Sequence, residues 1–269
     1  MKIRITSYMP LFMSDLIRKI PGYPKIRYKG NYSSWKKALV AASEGYEAAE
    51  ILNRVKASVD KVQKGEAIFE RDAVCFYQEE YRWPVLACLL LIAAQHNGNL
   101  QVLDYGGSLG SFYFQHKKFL QRLRKHLWFI VEQGHYVAYG KAKIQDENLY
   151  FYTNIHECLR HADTHVVLFS SVLQYLEHPY KILQEIAQAG IQYILIDRTP
   201  FITQRQDKLK IQHIPKSIYK ASYPVWFLSL DNFNNRMKDI GYKLENEFSG
   251  NDQFTEALCK GFLFKQIIG

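Results

Sequence analysis

The chain has 269 residues, 48% hydrophobic and 14% aromatic, which excludes a disordered polymer and leaves room for one large domain or a domain with an appendage. The formal charge is +9 and uneven: residues 1–40 hold nine Lys or Arg against one acid, Asp15. Four widely spaced cysteines, Cys75, Cys88, Cys158 and Cys259, form no CxxC pair or Cys/His cluster, so reduced structural thiols are expected and a metal site is not.

In chain order, the first residues lack a signal-peptide pattern, because Pro10, Ser14 and Asp15 interrupt the apolar positions. A cytoplasmic location is the expectation. Leu11–Ile20 places Phe12, Met13, Leu16, Ile17 and Ile20 at helical spacing with Arg18 and Lys19 at the edge. Such a stripe most often docks on the protein's own core, but with a basic edge it also suits peripheral contact with a membrane surface. The basic residues are scattered and no nucleic-acid motif accompanies them, so nucleic acid is not an expected partner.

The stretch PGYPKIRYKGNY reads as extended or looped, and Ser33 or Ser34 is placed to cap a helix starting near Trp35. Residues 35–64 suggest two helices and residues 66–97 one or two more, among them the buried run Pro84–Ala94 ending at the C-cap pair Asn97-Gly98. The first 98 residues are thus expected to be a helical N-terminal region. From residue 99 short apolar runs alternate with helical segments: Leu100–Tyr105, Trp128–Glu132, Leu149–Tyr152, Val166–Ser170 and Gln192–Ile196, separated by helices over Ser111–His126, His135–Lys143, Ile155–His161 and Pro179–Ala189. Apolar strands with helical crossovers predict a doubly wound, mostly parallel α/β sheet over 99–269. Arg198–Pro224 has no clear period and reads as a functional insertion. A helix at Leu230–Ile240, capped by Ser229, precedes two strands, Tyr242–Phe248 and Ala257–Ile267.

The first strand of that series ends in LDYGGSLG, Leu103–Gly110. Strands of a parallel sheet deliver their C-terminal ends to a ligand. Glycines there let a ligand approach the backbone, and the next helix has free N–H groups. The dinucleotide pattern GxGxxG fails, because Tyr105 stands where its first glycine belongs, and no GK[ST] follows. What remains is an aspartate followed by glycines at 106, 107 and 110. Trp128-Phe129-Ile130-Val131-Glu132 then ends a strand on an acid 28 residues after Asp104, a place from which a carboxylate can accept two ribose hydroxyls. VVLFSSVLQYLEHP, Val166–Pro179, brings a strand end at Ser170-Ser171 and a loop to a proline-started helix.

Asp104, Gly106 and Gly110 resemble motif I of S-adenosylmethionine-dependent methyltransferases, with Ser108 in place of the middle glycine and Gly107 ahead of it. Gly30–Leu52, Val102–Phe114, Ser170–Pro179, Ile196–Phe201 and Tyr223–Ser229, taken in order, resemble a family of bacterial class I methyltransferases associated with surface-polysaccharide biosynthesis. The resemblance implies a Rossmann-like class I fold, with a mostly parallel seven-stranded sheet carrying a C-terminal antiparallel strand. It implies S-adenosylmethionine as cofactor, held by Asp104, Tyr105, Gly106, Gly107, Ser108, Gly110, Glu132, Gln133, Ser170 and Ser171. The adenine is expected near Tyr152–Asn154, and the Ser108 N–H or hydroxyl is expected to face the cofactor. O-methylation of a small-molecule or sugar-linked acceptor is the implied reaction. A hydroxyl acceptor needs a proton acceptor, and His178, Asp197 and His213 are the candidates, with Glu177 behind them. Tyr219, Tyr223, Trp226 and Lys216 are candidates to meet a sugar face and an anion. The rival readings are a non-catalytic Rossmann-like cofactor-binding module in a glycan-assembly complex and a nicotinamide-dependent enzyme, the latter disfavoured by Tyr105 and the terminal strand pair.

Overall fold

The computed structural model describes residues 26–42, 49–215 and 221–267, so the expected Leu11–Ile20 stripe, Lys216 and Tyr219 lie outside the described residues. The chain divides into two compact units, Met1–Glu80 with Leu209–Pro224, and Tyr81–Lys208 with Val225–Gly269. The first boundary falls at Glu80/Tyr81, whereas the change of sequence texture lies at residue 98. The intervening helix belongs with the sheet that it covers.

In the first unit, strand β1 (Arg27–Lys29) precedes helix α1 (Trp35–Ala41). The Ser34 side chain caps α1 by accepting the Lys37 N–H at 3.3 Å. Helix α2 (Ala49–Gln63) buries Leu52, Val55 and Val59 along one stripe. Residues 66–80 depart from the helical expectation: β2 (Phe69–Arg71) and β3 (Val74–Phe76) form an antiparallel hairpin. Its two turn residues, Asp72 and Ala73, have φ of 53° and 64°, as a two-residue primed turn requires. Alanine is a poor signal for that turn, which is why the hairpin was hidden.

The second unit opens with α3 (Trp83–Gln95), started by Pro84 and burying Val85, Leu86, Cys88, Leu89 and Ile92. The left-handed Asn97 and Gly98 then end it. The alternating elements follow: β4 (Asn99–Tyr105), α4 (Ser111–Leu120), β5 (Lys125–Val131), α5 (Gly134–Lys143), β6 (Leu149–Tyr152), α6 (Ile155–His161), β7 (Val166–Ser170), α7 (Pro179–Gln188) and β8 (Tyr193–Ile202). Helix α4 stops six residues short of the expected His126, because Lys125 must pair with Asn99 in the sheet. The segment expected to be an irregular insertion is mostly strand: β8 runs on to Ile202, and β9 (Lys208–Ile214) and β10 (Ala221–Ser229) follow. Lys208, Lys210 and Gln212 alternate with Leu209 and Ile211 along β9, a strand period that the sequence reading passed over, and Lys210, Gln212 and Ser222 are nevertheless buried. Within the first unit, Arg27–Lys29 pairs antiparallel with Ile211–His213. Helix α8 (Leu230–Asp239), β11 (Tyr242–Ser249) and β12 (Leu258–Gln266) complete the chain.

The sheet of the second unit has the order β6-β5-β4-β7-β8-β12-β11. The pairs from β6 to β8 are parallel, and β12 runs antiparallel to both β8 and β11. Beyond the end of β7, Phe201 and Ile202 pair in parallel with Leu228 and Ser229 of β10. Parallel register sets the strand ends level: Tyr105 lies opposite Val131, Val131 opposite Tyr152, and Ser170 opposite Asp197. Leu103, Phe129, Val167, Phe169, Ile194 and Ile196 join Leu183, Ile186 and Phe233 of the covering helices in one core. No helix among the described residues is long and apolar enough to cross a membrane.

Candidate functional site

The level strand ends gather the residues singled out by sequence. After β4 the chain turns at once into α4. Gly106 has φ +72°, and its N–H is held by the Val131 carbonyl at 2.8 Å. A Cβ at Gly106 would lie 2.4 Å from Val172 Cγ2, and one at Gly107 would lie 2.5 Å from Asp104 Oδ2. Both positions must therefore be bare, whether or not a ligand is bound. Gly110, left-handed at φ +94°, supplies the N-cap of α4 without a capping side chain. Ser108 is also left-handed at φ 55°, in the position where motif I carries glycine. Its N–H donates to Glu132 Oε2 at 3.2 Å.

Two acids flank this loop. Asp104 is 2% exposed, and its Oδ2 accepts the Trp128 indole N–H at 3.0 Å. Burial pushes its carboxyl up to about 7, the Trp128 hydrogen bond opposes the shift, and the Glu132 charge adds to it. Glu132 follows β5 and is raised above the usual carboxylate range by burial, against backbone N–H donors from Gln133 at 2.8 Å and Ser108. Next to it, Gln133 Oε1 is buried with no hydrogen-bond partner among the described residues. Two desolvated carboxylates, an orphaned amide oxygen and bare glycines form an acceptor-rich cradle, which fits a ligand that brings hydroxyl and ammonium donors. Tyr105 packs its ring on Phe169 at 5.4 Å between centroids, beneath the loop.

The next strand ends carry more strain. Ser171 and Arg198, at φ 58° and 53°, join Ser108 as non-glycine left-handed residues at the ends of β4 and β7 and midway along β8. Such backbone is held only where the surroundings over-determine it, and it clusters at functional sites. The fixing contacts are visible. The Ser171 N–H donates to the Asp197 carbonyl at 3.0 Å, and the fully buried Gln174 donates to Ser171 Oγ and to the Arg198 carbonyl, each at 3.3 Å. Arg198 Nε meets Asp252 Oδ2 at 2.8 Å. At the end of β6, Asn154 caps α6 by accepting the Glu157 N–H at 2.8 Å, and its amide donates to Thr153 Oγ1 at 3.3 Å.

The three candidate proton acceptors are not alike. Asp197 is fully buried in a two-pronged pair with Arg82, Nε to Oδ2 at 3.0 Å and Nη2 to Oδ1 at 2.6 Å. Arg82 also donates to Asn251 Oδ1 and the Ser249 carbonyl, and its own N–H is taken by His116 Nε2 at 3.0 Å. Asp197 therefore pairs with Arg82, 115 residues away, and not with its neighbour Arg198. Its oxygens are committed to locking α3 against β8 and the β11–β12 turn. His178 is the exposed N-cap of α7, 3.9 Å from Glu177. His213 lies on β9 in the first unit, with its imidazole lowered by partial burial and then by Lys29.

His178 lines an open pocket of about 560 Å³ with Glu177, Pro179, Tyr180, Lys181, Asp207, Trp226 and Arg236. Trp226, expected near a sugar, is there, whereas Tyr223 is buried in the first unit, accepting from Gln212 Nε2 at 3.1 Å. Sequence reading missed Tyr180, Asp207 and Arg236, along with Arg82 and Gln174. Tyr180, Asp207, Arg236 and Arg82 make contacts with positions tens of residues away, and Gln174 lies within Ser170–Pro179 without a role assigned to it.

No family model matches the sequence, and no curated protein does. Among solved structures, the N-terminal domain of EvdMO1, crystallised in the presence of SAH and D-fucose, is similar with a TM-score of 0.50 at 12% identity, over 82% of this chain and 99% of its own. The magnesium protoporphyrin IX methyltransferase ChlM from Synechocystis PCC 6803, with bound SAM, gives a TM-score of 0.47 at 13% identity, over 84% and 100%. The chain shares with the EvdMO1 domain an α/β fold built on a mixed, mostly parallel sheet. At these identities the likeness is one of fold.

Proposed function

We propose that the protein is an S-adenosylmethionine-dependent methyltransferase acting on a small-molecule or sugar-linked acceptor, by O-methylation in surface-polysaccharide biosynthesis. The observation that carries the cofactor reading is the pair of desolvated acids, the buried Asp104 in β4 and the half-buried Glu132 after β5, at the level ends of neighbouring parallel strands. Bound there, S-adenosylmethionine supplies an electrophilic methyl group on a sulfonium. Glu132 accepts the ribose hydroxyls, exchanging the Ser108 N–H for them. The backbone of the turn at Gly106 and Gly107, packed on Val172 and Asp104, would carry the methionine part. Gln133 Oε1 gains the donor that it lacks. Ser170 and Ser171 close the far side from the end of β7.

The chain's own task is to align the acceptor and exclude water. Among the candidate proton acceptors, His178 has the accessible imidazole, and Asp197 acts through position by holding the floor of the site with Arg82. The polysaccharide role rests on the ordered sequence resemblance. Calorimetry with S-adenosylmethionine and S-adenosylhomocysteine tests the reading. Binding is expected for both, weakened about tenfold or more in Glu132→Ala, from the loss of charge-assisted hydrogen bonds. Absence of heat at millimolar ligand, or unweakened binding by the variant, overturns it.

A further inference from the structure

We infer that the pocket lined by the start of α7, Trp226 of β10 and Arg236 of α8 binds a phosphorylated sugar, with Arg236 as the anion fork. The ligand is called the acceptor on the strength of the methyl-transfer reading above, but its binding does not depend on that reading. The guanidinium of Arg236 lies over the Tyr180 ring, 4.4 Å from its centroid, and Nε donates to Asn232 Oδ1 at 3.3 Å. Ring and amide hold the plane of the fork. Its terminal nitrogens have no partner among the described residues, so they remain available for two parallel bonds to an oxyanion.

The surroundings keep that geometry. The Tyr180 hydroxyl donates to Asp207 Oδ2 at 2.9 Å, Asp207 Oδ1 accepts the Ser229 N–H at 2.7 Å, and Asn232 Nδ2 reaches Tyr180 at 3.4 Å. Burial, and after it the Asp207 charge, raises the Tyr180 phenol, so it stays a donor. Asp207 is thereby occupied by the Tyr180 hydroxyl and the Ser229 N–H, and Lys181 leans toward Glu185 of its own helix. On the other wall, Trp226 Nε1 donates to the Leu176 carbonyl at 3.1 Å, which fixes the indole beside Pro179. The pocket thus pairs an apolar wall with an oriented cationic fork, and Glu177 and His178 stand at the rim for hydroxyl groups. An apolar ring face, hydroxyls and a dianionic substituent on one ligand of pocket size describe a sugar phosphate.

The test is calorimetry on the full chain with α-D-glucose 1-phosphate, glucose and inorganic phosphate, for wild type, Arg236→Gln and Arg236→Lys, with S-adenosylhomocysteine titrated separately and the melting temperature as a folding control. The expected result is that glucose 1-phosphate binds more tightly than either glucose or phosphate. Arg236→Gln should weaken it about tenfold or more, and Arg236→Lys should recover only part, since a lysine lacks the fork. Equal binding of phosphate and glucose 1-phosphate, or binding indifferent to Arg236→Gln, overturns the inference. If S-adenosylhomocysteine fails to bind while glucose 1-phosphate binding still depends on Arg236, the pocket stands and the methyl-transfer reading falls.

Discussion

Asp104→Asn separates the demands of folding from those of binding. The Asp104 carboxyl is raised from 3.8 to about 7 by burial, roughly three units, and at 1.36 kcal/mol per unit its full ionisation costs about 4 kcal/mol. The folded state holds this proton more tightly than the unfolded chain does. The associated stability is therefore complete below about pH 4 and lost as the pH rises toward about 7. Asparagine keeps an oxygen for the Trp128 indole and never ionises. Relative to wild type, Asp104→Asn should gain about 2–3 kcal/mol between about pH 5 and about pH 8, read as urea midpoints without ligand. The same variant should bind S-adenosylhomocysteine more weakly. A stability difference that does not change with pH would refute the reasoning, because it would mean that Asp104 ionises without cost in the fold.

Other substitutions test the loop and its floor. In Gly107→Ala, the new Cβ would meet Asp104 Oδ2 at 2.5 Å, so a loss of about 1–3 kcal/mol in urea unfolding, together with weakened S-adenosylhomocysteine binding, is expected. Ser108→Gly removes a side chain from a left-handed residue and should raise the unfolding free energy measured in urea by up to about 1 kcal/mol while leaving ligand binding intact. Arg82→Met strands a fully buried Asp197 and should cost about 3–5 kcal/mol, while the double variant Arg82→Met/Asp197→Leu should regain much of it. A double variant no more stable than the single one would show that the pair does more than satisfy itself.

Much of the sheet was legible because its code is local. Leu149–Tyr152, Val166–Ser170 and Ile155–His161 carry their own period and breakers, and the structure keeps those bounds unchanged. Asp104 and Glu132 were legible for the same reason, each standing at the end of an apolar run. The hairpin at Phe69–Phe76 was not, since its turn uses Asp-Ala where the usual signal has glycine. Strand β9 carries a period-two alternation, Lys208 to Gln212, that was passed over among the lysines of this segment.

By itself, the sequence determined the alternation of strands and helices, the bare loop after the first strand of the parallel sheet and the acid after the second. Those features depend on propensity and periodicity within a few residues. Only the tertiary structure decided the partners of the charged groups. It gave Asp197 to Arg82 instead of Arg198, left His178 at a pocket rim, and laid Arg236 across Tyr180. An ion pair or a ring contact depends on distance in space, and side chains 56 or 115 residues apart in the chain acquire that distance only when the helices are packed on the sheet.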